Sequence, residues 1–215
     1  SSTVVLWEEY SGIGTLAHVF RHHGVPPAIL SEDNLLKQRV LRHRFPPPVQ
    51  LVSRAGSSGA DIPHPSVLTA AGMPCQPFAP GGGRLAESDP RAIDAMNSIP
   101  SAVASLGARY ISLDIEEHAD FALRGERVLQ HIDEKLSANA PPLVRSPRAP
   151  CMFDSVSFGG KILRRRGAWR WELASVVARI GEAPPLRPIR AISARIRDIA
   201  LPDDDIHDAQ YTPGV

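Results

Sequence analysis

Five short apolar runs, at residues 4–7, 28–30, 49–52, 67–71 and 110–115, constrain the fold of this chain more than any other feature. Segments of helical spacing lie among them. Leu16, Val19 and Phe20 follow the first run and stop at Gly24; Leu36, Val40 and Leu41, expected to face inward, follow the second and run to about Phe45. Ile93, Met96, Val103 and Leu106 mark a further helix, with a kink or break expected at Pro100. Val128, Ile132 and Leu136 mark one after the fifth run. Strands alternating with helices predict an α/β fold: a mostly parallel sheet covered by helices on both faces, with ligands at the C-terminal ends of its strands. Cys151 opens another short strand, and residues 169–177 supply a last one. Residues 1–181 carry this domain, and 182–215, rich in proline, arginine and aspartate, read as irregular.

The strand ends carry the chemistry. The first run leads through Glu8 and Glu9 into Tyr10-Ser11-Gly12-Ile13-Gly14. A Gly-x-Gly turn lets a ligand lie against backbone N–H groups at the positive end of a helix, although a plain tight turn has the same spelling. Glu32 ends the second run about twenty residues beyond the glycine turn, a position that suits a ribose hydroxyl pair. Asp33 beside it is the expected N-cap of the next helix. The run 67–71 stops in Gly72-Met73-Pro74-Cys75-Gln76-Pro77-Phe78, followed by Gly81, Gly82, Gly83 and Arg84. A buried strand thereby delivers Cys75 into a loop whose backbone can approach a ligand closely. A cysteine taken blindly is a small buried hydrophobe, but between Pro74 and Gln76 a nucleophile or ligand contact is the better reading. Cys151 reads as structural. The end of the fifth run carries Asp114, with Glu116, Glu117 and His118 just beyond. Tyr10, Glu32, Cys75 and Asp114 therefore converge on one rim.

Charge narrows the partners. A net charge of +1 is too small to announce a nucleic-acid binder, so any such contact needs a local patch. The densest is Lys161-Ile162-Leu163-Arg164-Arg165-Arg166, after the flexible Phe158-Gly159-Gly160. Two cysteines make no disulfide framework, which predicts a reducing, intracellular (cytoplasmic) setting. No apolar run has the length of a membrane span, and no signal-peptide pattern opens the sequence.

Several of these motifs together resemble the cytosine-5 DNA methyltransferases. Tyr10-Ser11-Gly12-Ile13-Gly14 is similar to their first cofactor motif, which usually has phenylalanine at the Tyr10 position. Glu32 resembles the acid that holds the ribose of S-adenosylmethionine, and Asp61-Ile62 the pair near its adenine. Gly72-Met73-Pro74-Cys75-Gln76-Pro77-Phe78 is close to the nucleophile motif Gly-x-Pro-Cys-Gln-x-Phe, and Asp89-Pro90-Arg91 matches the Asp-x-Arg that follows it. Arg164 and Arg166 match the arginines of Gln-x-Arg-x-Arg, with Ile162 at the glutamine position. Where the family has Glu-Asn-Val, this chain reads Leu113-Asp114-Ile115-Glu116-Glu117-His118. One extra residue relative to the nucleophile puts Asp114 on the glutamate, the assignment adopted here; Glu116 needs a larger slip. The resemblance covers residues 4 to 205, most of the chain.

The resemblance implies a Rossmann-like fold of the class I S-adenosylmethionine-dependent methyltransferase type. Cys75 would be the nucleophile, Asp114 the acid at the ring nitrogen, and Arg164 and Arg166 the residues holding the base or that acid. Tyr10, Ser11, Gly12, Ile13, Gly14, Glu32, Asp61 and Pro74 would contact S-adenosylmethionine, and Gln76, Arg84 and Arg91 the nucleic acid. No metal is implied. DNA is the expected partner, with RNA left open. The family continues into a target-recognition region absent from this sequence, so three origins fit: a truncated chain, one half of a split enzyme whose second chain supplies recognition, or a decayed copy. The competing readings are a non-catalytic cofactor- or nucleic-acid-binding module, and a cysteine hydrolase using His64 or His118, which lacks any local signature.

Overall fold

The protein's structure, a computed structural model, describes residues 4–53, 58–59, 62–78, 85–118, 121–146, 151–154, 165–175 and 178. Asp61, Gly81, Gly82, Gly83, Arg84, Arg164 and residues 182–215, all singled out above, lie outside them. Eight strands form one sheet: β1 (Val5–Glu9), β2 (Pro27–Ser31), β3 (Gln50–Val52), β4 (Val67–Ala71), β5 (Tyr110–His118), β6 (Leu143–Arg145), β7 (Cys151–Asp154) and β8 (Arg165–Leu173). Their order is β3-β2-β1-β4-β5-β8-β6, with β7 paired to β8. The first five strands are mutually parallel, whereas β8 runs antiparallel to both β5 and β6. The chain winds outward from β1 through β2 to β3 and then returns to place β4 on β1's other side. That reversal is the switch point at which such sheets bind ligands.

Helices cover both faces. On one, α1 (Thr15–His22) and α2 (Leu35–Arg44) pack Ala17, Leu41 and Phe45 against Leu6, Leu30 and Ala70. On the other, α3 (Pro90–Ser105) and α5 (Glu126–Ser137), the latter preceded by the single turn α4 (Phe121–Arg124), enclose Trp7, Ile29, Leu113, Ile115, Trp169 and Trp171. The periodicity of α5 holds, with Val128, Ile132 and Leu136 buried, and Gly24 takes a φ of 83° just after α1; in α1, however, Val19 is exposed, Leu16 and Phe20 are half-buried and Ala17 is the buried residue.

Other expectations need correction. Leu36 and Val40 do not face inward; they are 69% and 41% exposed, and Gln38 and Leu41 are the residues of α2 that are buried. The reason is polar: Gln38 Nε2 donates to the Glu32 carbonyl at 2.6 Å, seating the helix on the end of β2. The N-cap of α2 is Asn34 rather than Asp33, its side chain accepting from the N–H groups of Leu36 and Lys37. Helix α3 starts at Pro90, capped by Asp89, and runs unbroken through Pro100 because its Ile99–Val103 face is packed into the core. Strand β8 begins four residues earlier than residue 169, where antiparallel pairing with β5 supplies its partners.

Candidate active site

Strands β1 and β4 end level with each other: Glu9 pairs with Ala71, and the Gly72 N–H donates to the Glu9 carbonyl at 3.3 Å. The loop from Tyr10 and the turn of Cys75 therefore leave the switch point side by side. A methyl group on Gly72 would come within 3.8 Å of the Tyr10 carbonyl oxygen, which measures how near the two backbones run.

The Tyr10 loop is shaped by left-handed residues. Tyr10, Gly12 and Gly14 have φ of 57°, 58° and 78°, and a Cβ on Gly14 would sit 2.4 Å from the Phe45 ring. Gly14 donates to the Ser11 carbonyl at 2.7 Å, and Ser11 donates its hydroxyl to the Glu8 carbonyl at 2.8 Å. Ser11 is thus buried and directed into the loop rather than toward a ligand, while Ile13 is 48% exposed. The Glu32 carboxylate, almost buried, accepts from the N–H of Gly12 at 2.9 Å and of Asn34 at 2.8 Å. It joins the end of β2 to the glycine turn.

The apolar run stops at Trp7 while β1 continues to Glu9, so two strand acids are hidden from a reading of apolar runs. Glu8 and Glu9 both lie inside β1 and are buried. The Glu8 carboxylate accepts from the Ala17 N–H at 3.1 Å, standing in for a side-chain cap that Gly14 cannot provide at the start of α1. Burial pushes its pKa up to about 8, against the pull of the helix N–H groups. Glu9 accepts from the Ser31 hydroxyl at 3.0 Å, which accepts in turn from the Trp7 indole. An acid directly before the Tyr10 loop was the signal available.

Cys75 is half-buried with a free thiol, Pro74 is half-buried and Gln76 is exposed. The Phe78 N–H donates to the Cys75 carbonyl at 3.0 Å, closing the turn. Phe78 meets Phe121 edge-to-face at 4.7 Å, and Phe121 meets Trp169 at 4.9 Å, so the turn is anchored through α4 to β8. Pro77 is tied to Ala86, and Ala86 to Asp89, by backbone hydrogen bonds. Asp89 caps α3 and grips the Arg91 guanidinium with both carboxylate oxygens, at 2.9 and 2.6 Å; Arg91 holds its pKa down to about 2.

Asp114 does not end its strand. Strand β5 continues four residues further to His118, and Asp114 pairs with Ala70 one step below the end of β4. Its carboxylate takes the Arg170 guanidinium of β8 at 2.5 and 3.2 Å. Burial pushes the Asp114 carboxyl up, and Arg170 opposes that. Glu116 is paired with Ala168, one residue past Ile115, which sits opposite Ala71. Arg166 is buried and faces His118 in the ladder. The structure thus brings Tyr10, Gly12, Gly14, Glu32 and Cys75, with Asp89 and Arg91, to the ends of β1, β2 and β4, and leaves Asp114 deeper in the sheet. Among the described residues no group of three metal-ligating side chains occurs, and no helix is long and apolar enough to cross a membrane.

The fold recurs in solved structures. A protein described as a DNA modification methyltransferase encoded within an E. coli prophage superposes with a TM-score of 0.69 at 16% identity, over 94% of this chain. The Entamoeba histolytica methyltransferase EhMeth gives 0.65 at 18% over 89%, and Spodoptera frugiperda DNMT2 0.59 at 18% over 88%. The chain has the fold of these methyltransferases. It spans 56%, 58% and 56% of their respective lengths. No family model matches its sequence, and no curated protein does. Periodicity alone did not supply the antiparallel β8 beside β5.

Proposed function

We propose that the chain transfers a methyl group from S-adenosylmethionine to carbon 5 of cytosine in DNA through a covalent Cys75 adduct. The reading rests above all on the adjacency of the Tyr10 loop and the Cys75 turn at one switch point. The donor set suits an adenosyl group: Glu32 offers a nearly buried carboxylate to a ribose diol, and Gly12 and Gly72 leave backbone uncovered beside it. Tyr10, Gly12, Gly14, Glu32 and Pro74 would hold it, and when bound it supplies an electrophilic methyl on a sulfonium.

Carbon 5 of cytosine is a weak nucleophile until a thiolate adds at carbon 6. Cys75 forms that carbon–sulfur bond, and the electron pair displaced onto the ring makes carbon 5 reactive. After methylation, loss of the carbon-5 proton restores the double bond and expels Cys75 as thiolate. The guanidinium of Arg91, oriented by Asp89, lends positive charge where the thiolate forms. The ring nitrogen needs a carboxyl partner as charge develops. Because Arg170 occupies Asp114, we assign that role to Glu116, which stands by register at the rim. Gln76 and the basic Arg84, Arg164 and Arg166 remain candidates for base and phosphate contacts, and a duplex target must flip its base out of the stack.

Labelled S-adenosylmethionine and cytosine-containing DNA test the proposal. Transfer is expected with the native chain, loss of at least about a thousandfold with Cys75→Ser, and a trapped adduct on 5-fluorocytosine DNA. Cofactor binding without transfer, with or without an added second chain, makes the protein a binding module.

A further inference from the structure

We propose that the Tyr10 hydroxyl is a positioning group that locks the cofactor loop to α3, the helix that also anchors the Cys75 turn. This rests on the methyltransferase reading above. Tyr10 Oη donates to Asp94 Oδ2 at 2.9 Å and shares a hydrogen bond with Ser98 Oγ at 3.0 Å. Asp94 and Ser98 are one helical turn apart on α3, so both reach the same phenol. Tyr10 itself is in the left-handed region at φ 57°, a conformation a bulky residue adopts only when its surroundings enforce it.

Helix α3 touches two loops of the rim. At its start Asp89 caps the helix, holds Arg91 and connects through Ala86 to Pro77 of the Cys75 turn. In its middle Asp94 and Ser98 take Tyr10. Its far end lies at the opposite edge of the sheet, where Arg109 directly precedes Tyr110, the residue of β5 that pairs with Val67 at the start of β4. The helix is a common ruler for methyl donor and nucleophile. The phenol hydroxyl is its link to the donor side, an atom that phenylalanine would lack.

The test is a double-mutant cycle on the full chain with Tyr10→Phe and Asp94→Ala, reading the dissociation constant for S-adenosylhomocysteine by calorimetry alongside the melting midpoint. Each single variant is expected to weaken binding about fivefold to tenfold, and the pair no more than either alone. The midpoint should move too little to account for that loss, whereas a purely structural tie would shift the midpoint and leave affinity unchanged. Additive losses, or unaltered affinity in Tyr10→Phe, overturn the proposal. If the native chain binds no adenosyl cofactor, the methyltransferase reading fails instead. Amide exchange at Ser11 to Gly14 then decides the tie: faster exchange in Tyr10→Phe supports it, and equal rates refute it.

Discussion

The two halves of the sheet end their strands by different rules. In the parallel half, β1, β2 and β4 stop within two residues of the end of their apolar runs, because each must leave for a helix on a covering layer. Their last residues, Glu9, Ser31 and Ala71, lie level across the ladder. In the other half β5 outruns its apolar stretch by three residues, because antiparallel β8 offers both backbone partners and a guanidinium for Asp114. A polar residue there belongs to the ladder and does not announce a loop. The lesson is that an apolar run measures a strand only where its neighbours are parallel and covered.

Four measurements test that contrast. The largest effect is expected at Glu8. Its pKa is raised from 4.5 to about 8, so the folded state binds the proton more tightly than the unfolded one. Its contribution is therefore present at acid pH and lost as pH rises from about 4.5 to about 8, on the order of 5 kcal/mol in all. Urea midpoints of Glu8→Gln should lack that decline; a native-like slope in the variant would show that another group titrates.

Next comes the acid. Glu116→Gln should lower transfer about a hundredfold or more, and Asp114→Asn less than about tenfold, since Asp114 serves Arg170. The reverse ranking in single-turnover assays would return the rim to Asp114. In the parallel half, Gly14→Ala should cost about 2 kcal/mol through its φ of 78° and the Phe45 contact, read as a lower urea midpoint. The smallest effect is expected on α2, where Leu36→Ser should change stability by less than about 0.5 kcal/mol. Leu41→Ala should lose about 2–4 kcal/mol. Equal losses would mean that Leu36 is covered.

Much of the rim was legible. Tyr10 to Gly14, Glu32 and the Cys75 turn could be placed because glycine, proline and acid mark the points where parallel strands stop. Leu36 and Val40 misled because helical spacing says which residues share a face and not which face is buried; the Gln38 amide bonded to the Glu32 carbonyl settles that. Glu8 and Glu9 were passed over because carboxylates inside a strand are costly unless a helix terminus or a hydroxyl receives them. Both partners come from elsewhere in the chain.

By itself the sequence determined the alternation of strands and helices, the two glycine-bearing loops and the thiol between its prolines. These depend on local backbone preferences and on periodic burial, which are written residue by residue. Only the tertiary structure decided that β4 lies beside β1, that β8 enters antiparallel next to β5, that Arg170 takes Asp114, and that one helix reaches Tyr10 and the Cys75 turn together. Those outcomes are long-range pairings. Their energies come from groups 56 to 88 residues apart, as in Arg170 with Asp114 and Ser98 with Tyr10, and no local pattern encodes them.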